Sequence, residues 1–333
     1  MPLDALVSTL AGSIEPGLPT FVLIDPMLGE PLPVAVESLS DARCLNIARE
    51  QAWTRNVQRV ELSPRIDLPA HQHPYLVEMR ATDDPWLIDS MRMAMDEHRR
   101  ARADGLAGSG CAPHRIGGWI QSSLDPQALS DALAGLMRVN TQAHTAARYQ
   151  RLADRRVLAW LRHVVGDAQI EGTLGRLRSW RYVDALGQLA ELVSPTQAAG
   201  TAEVRLSRSE WAEFMRGELV HPTVARWLGE VDSNRMNQDA PARFDVPSDV
   251  SAAYAQAARA LEQAQLAAHR WPRRFTVPAD RTAWAALALL HADIAHRAEV
   301  VAVLDAAPES EEPIDSIDVL SAQLNAICQK GTP

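Results

Sequence analysis

Strand-like apolar runs crowd the first two hundred residues and then stop, and this break constrains the fold more than any other feature of the chain. Phe21-Val22-Leu23-Ile24 is an apolar run closed by Asp25-Pro26, which reads as a buried strand ending in a turn. Val57–Leu62 alternates apolar and polar residues and stops at Ser63-Pro64, and Tyr75–Met79 follows His73-Pro74 as a third strand. Arg115–Ser122 is a fourth, with Gly117-Gly118 permitting a bulge or a close backbone approach. Leu177–Leu192 holds two alternating runs around Asp184–Gly187 and predicts a hairpin. Helical periodicity fills the spaces between. Asp84-Pro85 opens a helix carrying Trp86, Leu87, Met91, Met95 and His98 at spacings of three and four, ended by the glycine-rich Gly105–Gly110. Asp125-Pro126 starts a second, with Leu129, Leu133, Leu136 and Met137 on one face, and Ala153–Val165 is a third.

Beyond Ser194–Gly200 only helical patterns continue. Ser209–Val231 predicts two short helices broken at His221-Pro222, because proline lacks a backbone donor and clashes with the preceding turn. Asp232–Asp249 is polar and reads as a loop or linker. Ser251–His269 and Asp280–Leu304 predict a long antiparallel helical pair joined by Trp271–Ala279, and Asp315–Cys328 adds a final helix. With 333 residues the chain can bury two cores. The expected fold is therefore α+β: a mixed sheet with flanking helices in an N-terminal lobe, residues 1–200, followed by a mainly α-helical C-terminal lobe, residues 201–333.

Composition narrows the function more than the fold. Hydrophobic residues at 47% and charged residues at 23% exclude a disordered chain and a collagen-like repeat. The net charge of −9 argues against a nucleic-acid partner, since the phosphate backbone demands a concentrated basic surface. The densest basic spots, Arg99–Arg102 and Arg270–Arg274, are short. Met1–Thr20 has neither a basic start nor a continuous apolar stretch, and the apolar run at Ala283–Leu290 is too short to span a bilayer. A cytoplasmic protein without a membrane partner is the expectation. Cys44, Cys111 and Cys328 are scattered and odd in number, so no disulfide framework or paired zinc spacing follows.

Familiar catalytic motifs are missing. All 33 basic residues except Lys330 are arginine, which removes a P-loop lysine, a kinase lysine and lysine Schiff-base chemistry. No GxSxG, HExxH or dinucleotide GxGxxG occurs. His71 and His73, two apart on a presumed strand, would point to one face and are the best metal suspects, but no third ligand is readable. Cys111 near His114 imitates a nucleophile and base without an orienting acid. His291 and His296 are five apart and do not share a helical face. Asp83-Asp84 reads as a helix cap and Glu311-Glu312 as a solvated tail. No cofactor and no metal is expected. Nine tryptophans against four phenylalanines and four tyrosines is an unusual ratio, and tryptophan serves partner-facing pockets as well as cores.

The order of five segments carries a resemblance. FVLIDP (Phe21–Pro26), HPYLVEM (His73–Met79), GGWIQSSLDPQAL (Gly117–Leu129), ARYQRLADRRVLAWL (Ala147–Leu161) and RSWRYVDALGQL (Arg178–Leu189) together resemble the domain-of-unknown-function 4123 family, the type VI secretion effector chaperones or adaptors. The resemblance spans roughly residues 18–193. Arg148-Tyr149 and Asp154-Arg155-Arg156-Val157-Leu158 are similar to that family's arginine, aromatic and DPRVL motif. Arg151, Leu152 and Ala153 intervene before Asp154, and Arg155 stands where the family has proline. The resemblance implies a non-enzymatic protein with two partners, a secreted effector and the spike (valine–glycine repeat) protein. The residues it brings forward for partner binding, together with the aromatics, are Arg148, Tyr149, Asp154, Arg156, Trp160, Trp180, Tyr182 and Trp211. Two other readings remain open: a metal-dependent hydrolase built on His71 and His73, and an immunity protein that neutralises a toxin.

Overall fold

The computed structural model describes residues 2–80, 83–106, 112–144, 146–195, 203–236, 246–306 and 315–330. The chain forms two compact units, one comprising residues 1–98 and 113–215, the other 99–112 and 216–333. The expected change of character near residue 200 falls at Met215/Arg216 instead, because a short strand and a helix beyond residue 200 still pack in the first unit. A short stretch around the glycine-rich loop, 99–112, belongs to the second.

The first unit is built on a six-stranded sheet. In chain order its elements are α1 (Leu3–Ser13), β1 (Thr20–Ile24), α2 (Ala42–Trp53), β2 (Val57–Arg59), β3 (Tyr75–Met79), α3 (Pro85–Leu106, of which the residues from Arg99 on belong to the second unit), β4 (Ile116–Ser122), α4 (Pro126–Leu136), β5 (Arg138–Thr141), β6 (Arg148–Tyr149), α5 (Arg155–Val165), α6 (Asp167–Thr173), β7 (Leu177–Val183), β8 (Leu189–Val193), β9 (Arg205–Leu206) and α7 (Arg208–Met215). The strand order is β2-β3-β1-β4-β7-β8, antiparallel throughout. The expected mixed pairing occurs elsewhere, in a small sheet β6-β5-β9 where β5 and β9 run parallel.

Helices on both faces explain why β1 reads as a continuous apolar run rather than an alternating one. Val22 and Ile24 join Tyr75, Val77, Trp119, Leu6, Leu10, Trp53, Leu87 and Met91 in one core. Phe21 and Leu23 are paired with Ile120 and Leu76 on the opposite face, and α4 and α5 contact the sheet at β2, β3 and β4. The Gly117-Gly118 bulge exists: the β1–β4 register shifts between Leu23 and Ile24. Gly118 sits at φ +134°, and a Cβ there would collide with the Arg181 carbonyl oxygen, so glycine is required. The predicted helix cap at Asp84 is formed, the carboxylate accepting from the Trp86 N–H at 3.0 Å.

The second unit is helical: α8 (Gly217–Met236), α9 (Val250–Arg270), α10 (Pro278–Leu290), α11 (Ala298–Asp305) and α12 (Ile317–Lys330). Helix α10 contacts α8, α9 and α12 and is buried nearly all round. Two expectations need correction here. The break predicted at His221-Pro222 falls at Arg216 instead, and Pro222 lies inside α8. The single helix expected over Asp280–Leu304 ends at Leu290, where His291 leaves the helical region with φ −138° and its Nε2–H donates to Asn325 Oδ1 at 2.8 Å. A tertiary contact to α12 overrides a continuous helical pattern there. Each basic spot noted in the sequence places an arginine in a defined contact within this unit. Arg102 pairs with Asp232 at 2.6 Å, Arg270 stacks over the Trp271 ring, and buried Arg274 donates to the carbonyls of Val303, Leu304, Ala306 and Asp315. Those carbonyls include orphan acceptors at the end of α11, which an arginine is suited to satisfy.

Candidate partner-binding surface

The segment Arg148–Arg156 is fixed by charge. It enters as β6, with Arg148 opposite Val139 and Tyr149 opposite Arg138. Arg148 is exposed, its guanidinium 3.4 Å from His144 Nδ1. Tyr149 is half-buried and its hydroxyl is enclosed without a hydrogen-bond partner. Burial, helped by the charge of Asp25, pushes that phenol above its ordinary range. Arg151 Nε then donates to Asp25 Oδ2 at 2.6 Å, tying the segment to the end of β1. Asp154 caps α5, accepting from the Arg156 N–H at 3.0 Å and from the Arg156 guanidinium at 3.0 and 2.7 Å. Burial alone would raise Asp154, but the Arg156 charge and its hydrogen bonds, with His114 and Arg151, hold the carboxyl well below the usual carboxylate range.

Arg155, the residue that departs from the family motif, is the pin of this region. It is 2% exposed, donates to Glu97 Oε2 at 3.0 Å, and reaches the carbonyls of Ile116 and Ala94 at 2.8 Å each. Glu97 in turn accepts from the Arg115 N–H at 2.9 Å. Position 155 is the first residue of α5, where proline is otherwise favoured because its missing N–H costs nothing. This chain exchanges that backbone preference for a buried ion pair joining α3, β4 and α5. Neither Glu97 nor Arg151 was signalled by its residue type, although Glu97 lies three residues after Ala94 on the buried stripe of α3.

Asp25 behaves differently from Asp154. Burial raises it to about 6, against the lowering influence of Arg151 and the Met27 N–H, while Asp154 adds repulsion. A folded-state value above the ordinary 3.8 means the proton binds the folded chain more tightly. The stability from this group is full below the ordinary value and lost as pH rises through about 6. Asp25→Asn lacks this dependence. Relative to that variant, the wild type is expected to gain about 1 kcal/mol between about pH 7.5 and about pH 5. Urea midpoints of both proteins at the two pH values check it, and a constant difference contradicts the buried, proton-binding Asp25.

The aromatic expectations divide. Trp160 is buried and donates to the Phe214 carbonyl at 2.9 Å. Trp180 is buried and donates to the Gly117 carbonyl at 3.2 Å. Tyr182 is buried, its hydroxyl accepting from Arg162 at 3.2 Å. All three are buried with satisfied polar ends inside the first unit. Trp211 is half-buried, meets His144 edge-on at 5.4 Å and lies 5.9 Å from Phe214. With exposed Arg148 and 44%-exposed Met215 at the end of the same helix, it leaves one mixed aromatic, sulfur and cationic patch on the first unit. Seven of the nine tryptophans are buried, and only Trp86 and Trp211 are half-exposed.

The histidines expected to share a strand face do not. His71 lies in a short 3-10 turn, Ala70–Gln72, and His73 follows it with its ring nitrogens 3.4 and 3.2 Å from the Val60 and Leu68 carbonyls. The Pro-flanked entry to β3 turns rather than extends. Among the described residues no group of three or more histidine, cysteine or acidic side chains could hold a metal ion. His114 is buried with neither ring nitrogen hydrogen-bonded, and burial, then Arg155 and Arg156, push it well below its ordinary value. Cys111 and the Glu311-Glu312 pair lie outside the described residues, as does the loop beyond Leu106. No helix among the described residues is long and apolar enough to cross a membrane. Comparison with protein-family models, with curated proteins and with solved structures found no match.

Proposed function

We propose that this chain is a non-enzymatic adaptor that binds a cognate type VI secretion effector in the cytoplasm and helps load it on the spike protein. The observation that carries the reading is the order of the five family-like segments. They fall on β1, on β3, on β4 with the start of α4, on β6 with α5, and on the β7–β8 hairpin, all within the first unit. The patch of Arg148, His144, Trp211 and Met215 supports it, because aromatic and arginine side chains anchor protein interfaces. Capture before delivery must be reversible. A polar, wet contact around few aromatic anchors suits that better than a core-like interface.

Deleting the gene tests the reading against a toxin-neutralising role. An adaptor's loss abolishes export of the cognate effector while the producing strain stays resistant to it. Intact export together with new sensitivity to the toxin rejects the adaptor and favours neutralisation.

A further inference from the structure

An open groove of about 460 Å³ in the first unit runs along α4. Its lining extends from Leu124 to Leu136, about 16 Å of helix, which suits an extended segment better than a compact molecule. The floor is apolar: Leu124, Ala128, Ala132, Leu136 and Leu174. The small residues Ala128 and Ala132 recur at helical spacing and keep the trough open on the side of α4 away from buried Leu129 and Leu133.

The rim carries the second observation. Arg138 and Arg176 border the groove, both are exposed, and among the described residues neither guanidinium has an ion pair or side-chain hydrogen bond. Two acids share the rim, each accepting from a neutral amide that leaves its charge in place: Asp131 from Gln127 at 3.0 Å and Glu203 from Asn140 at 2.6 Å. Exposed Arg205 stands opposite Asn140 in the β5–β9 register, two residues along from Arg138 and on the same sheet face. Two exposed cations thus border an apolar floor.

We propose that this groove binds a partner-protein segment that presents aliphatic side chains to the floor and carboxylates to Arg138 and Arg176. Resting on the adaptor reading, that segment belongs to the cargo. An apolar stretch flanked by acids is the kind of sequence that needs cover before delivery, and arginine matches a carboxylate with two parallel donors.

Selection of a displayed library of random peptides of about twelve residues on the intact chain tests the chemistry. Enriched peptides should combine aliphatic residues with Asp or Glu. Their affinity, read by fluorescence anisotropy, should fall about tenfold or more in the Arg138→Glu/Arg176→Glu variant and in Ala132→Trp, which fills the trough, and should weaken with salt. Unchanged urea midpoints confirm that both variants fold. The proposal is overturned by no enrichment, by basic peptides, or by affinity that either folded variant retains. Cargo capture is measured separately by co-expression. A cargo bound equally by the charge-reversed chain keeps the adaptor and removes the groove, whereas acidic peptides bound without any cargo do the reverse.

Discussion

Replacing Arg155 with alanine is expected to destabilise the first unit by about 3–5 kcal/mol, the largest effect of any single substitution considered for it. The change strands Glu97 as a buried charge and removes donors from the Ile116 and Ala94 carbonyls. A buried ion pair contributes little over an apolar pair of similar volume, but breaking one side leaves an uncompensated charge. The double variant Glu97→Gln/Arg155→Met should therefore recover much of the loss. Exposed Arg148→Ala, a short distance along the same segment, should shift stability by less than about 0.5 kcal/mol. Tryptophan fluorescence in urea gives all three midpoints. Equal losses for Arg155→Ala and Arg148→Ala would contradict the buried pin.

The second large effect belongs to the helical unit. Asp280 is fully buried and accepts from the Thr276, Val277 and Asp318 N–H groups at 2.8, 2.9 and 3.0 Å, joining the start of α10 to the start of α12. Burial pushes its carboxyl up, yet these donors outweigh burial and hold it below its ordinary value. Asp280→Ala is expected to cost about 2–4 kcal/mol, since three donors lose a charged acceptor. The sign of the pH dependence follows. A lowered carboxylate contributes stability above its ordinary value and loses it as pH falls toward and below the folded value. Asp280 and Asp25 thus pull stability in opposite directions on acidification, in different units. Asp280→Ala should flatten the acid limb of the second unit's stability, and Asp25→Asn should remove a gain in the first.

What the sequence displayed best was local and apolar. The run Phe21–Ile24, the Pro-bounded Tyr75–Met79 and the Asp184–Gly187 turn announce strands because burial on both faces and turn chemistry act over a few residues. The Asp-Pro starts of α3 and α4 announce helices for the same reason. Helix α1 and the small sheet were not legible: α1 has no side-chain cap, and two of the small sheet's strands are two residues long. Pro222 reads as a break, yet one lost hydrogen bond is tolerated where Val220, Thr223, Val224 and Trp227 are buried around it. The site fared similarly. Arg148, Tyr149, Asp154 and Arg156 came from a motif and lie on one continuous segment. Trp160, Trp180 and Tyr182 also lie in the resembled segments, and residue type does not separate a core aromatic from a contact one. Asp25-Pro26 reads as turn punctuation in the sequence, whereas Asp25 pairs with Arg151, 126 residues away. Long-range charge pairing leaves no local pattern. Arg155 shows the same limit: it replaces an expected proline, and only the fold reveals Glu97 across from it.

The adaptor reading is tested most directly by co-expressing the chain with candidate effectors from neighbouring genes and measuring soluble effector recovered as a defined complex by size-exclusion chromatography with light scattering. The account predicts that soluble effector yield rises several-fold and that the two chains elute together at fixed stoichiometry. Unchanged effector solubility and separate elution with every neighbouring effector would contradict it.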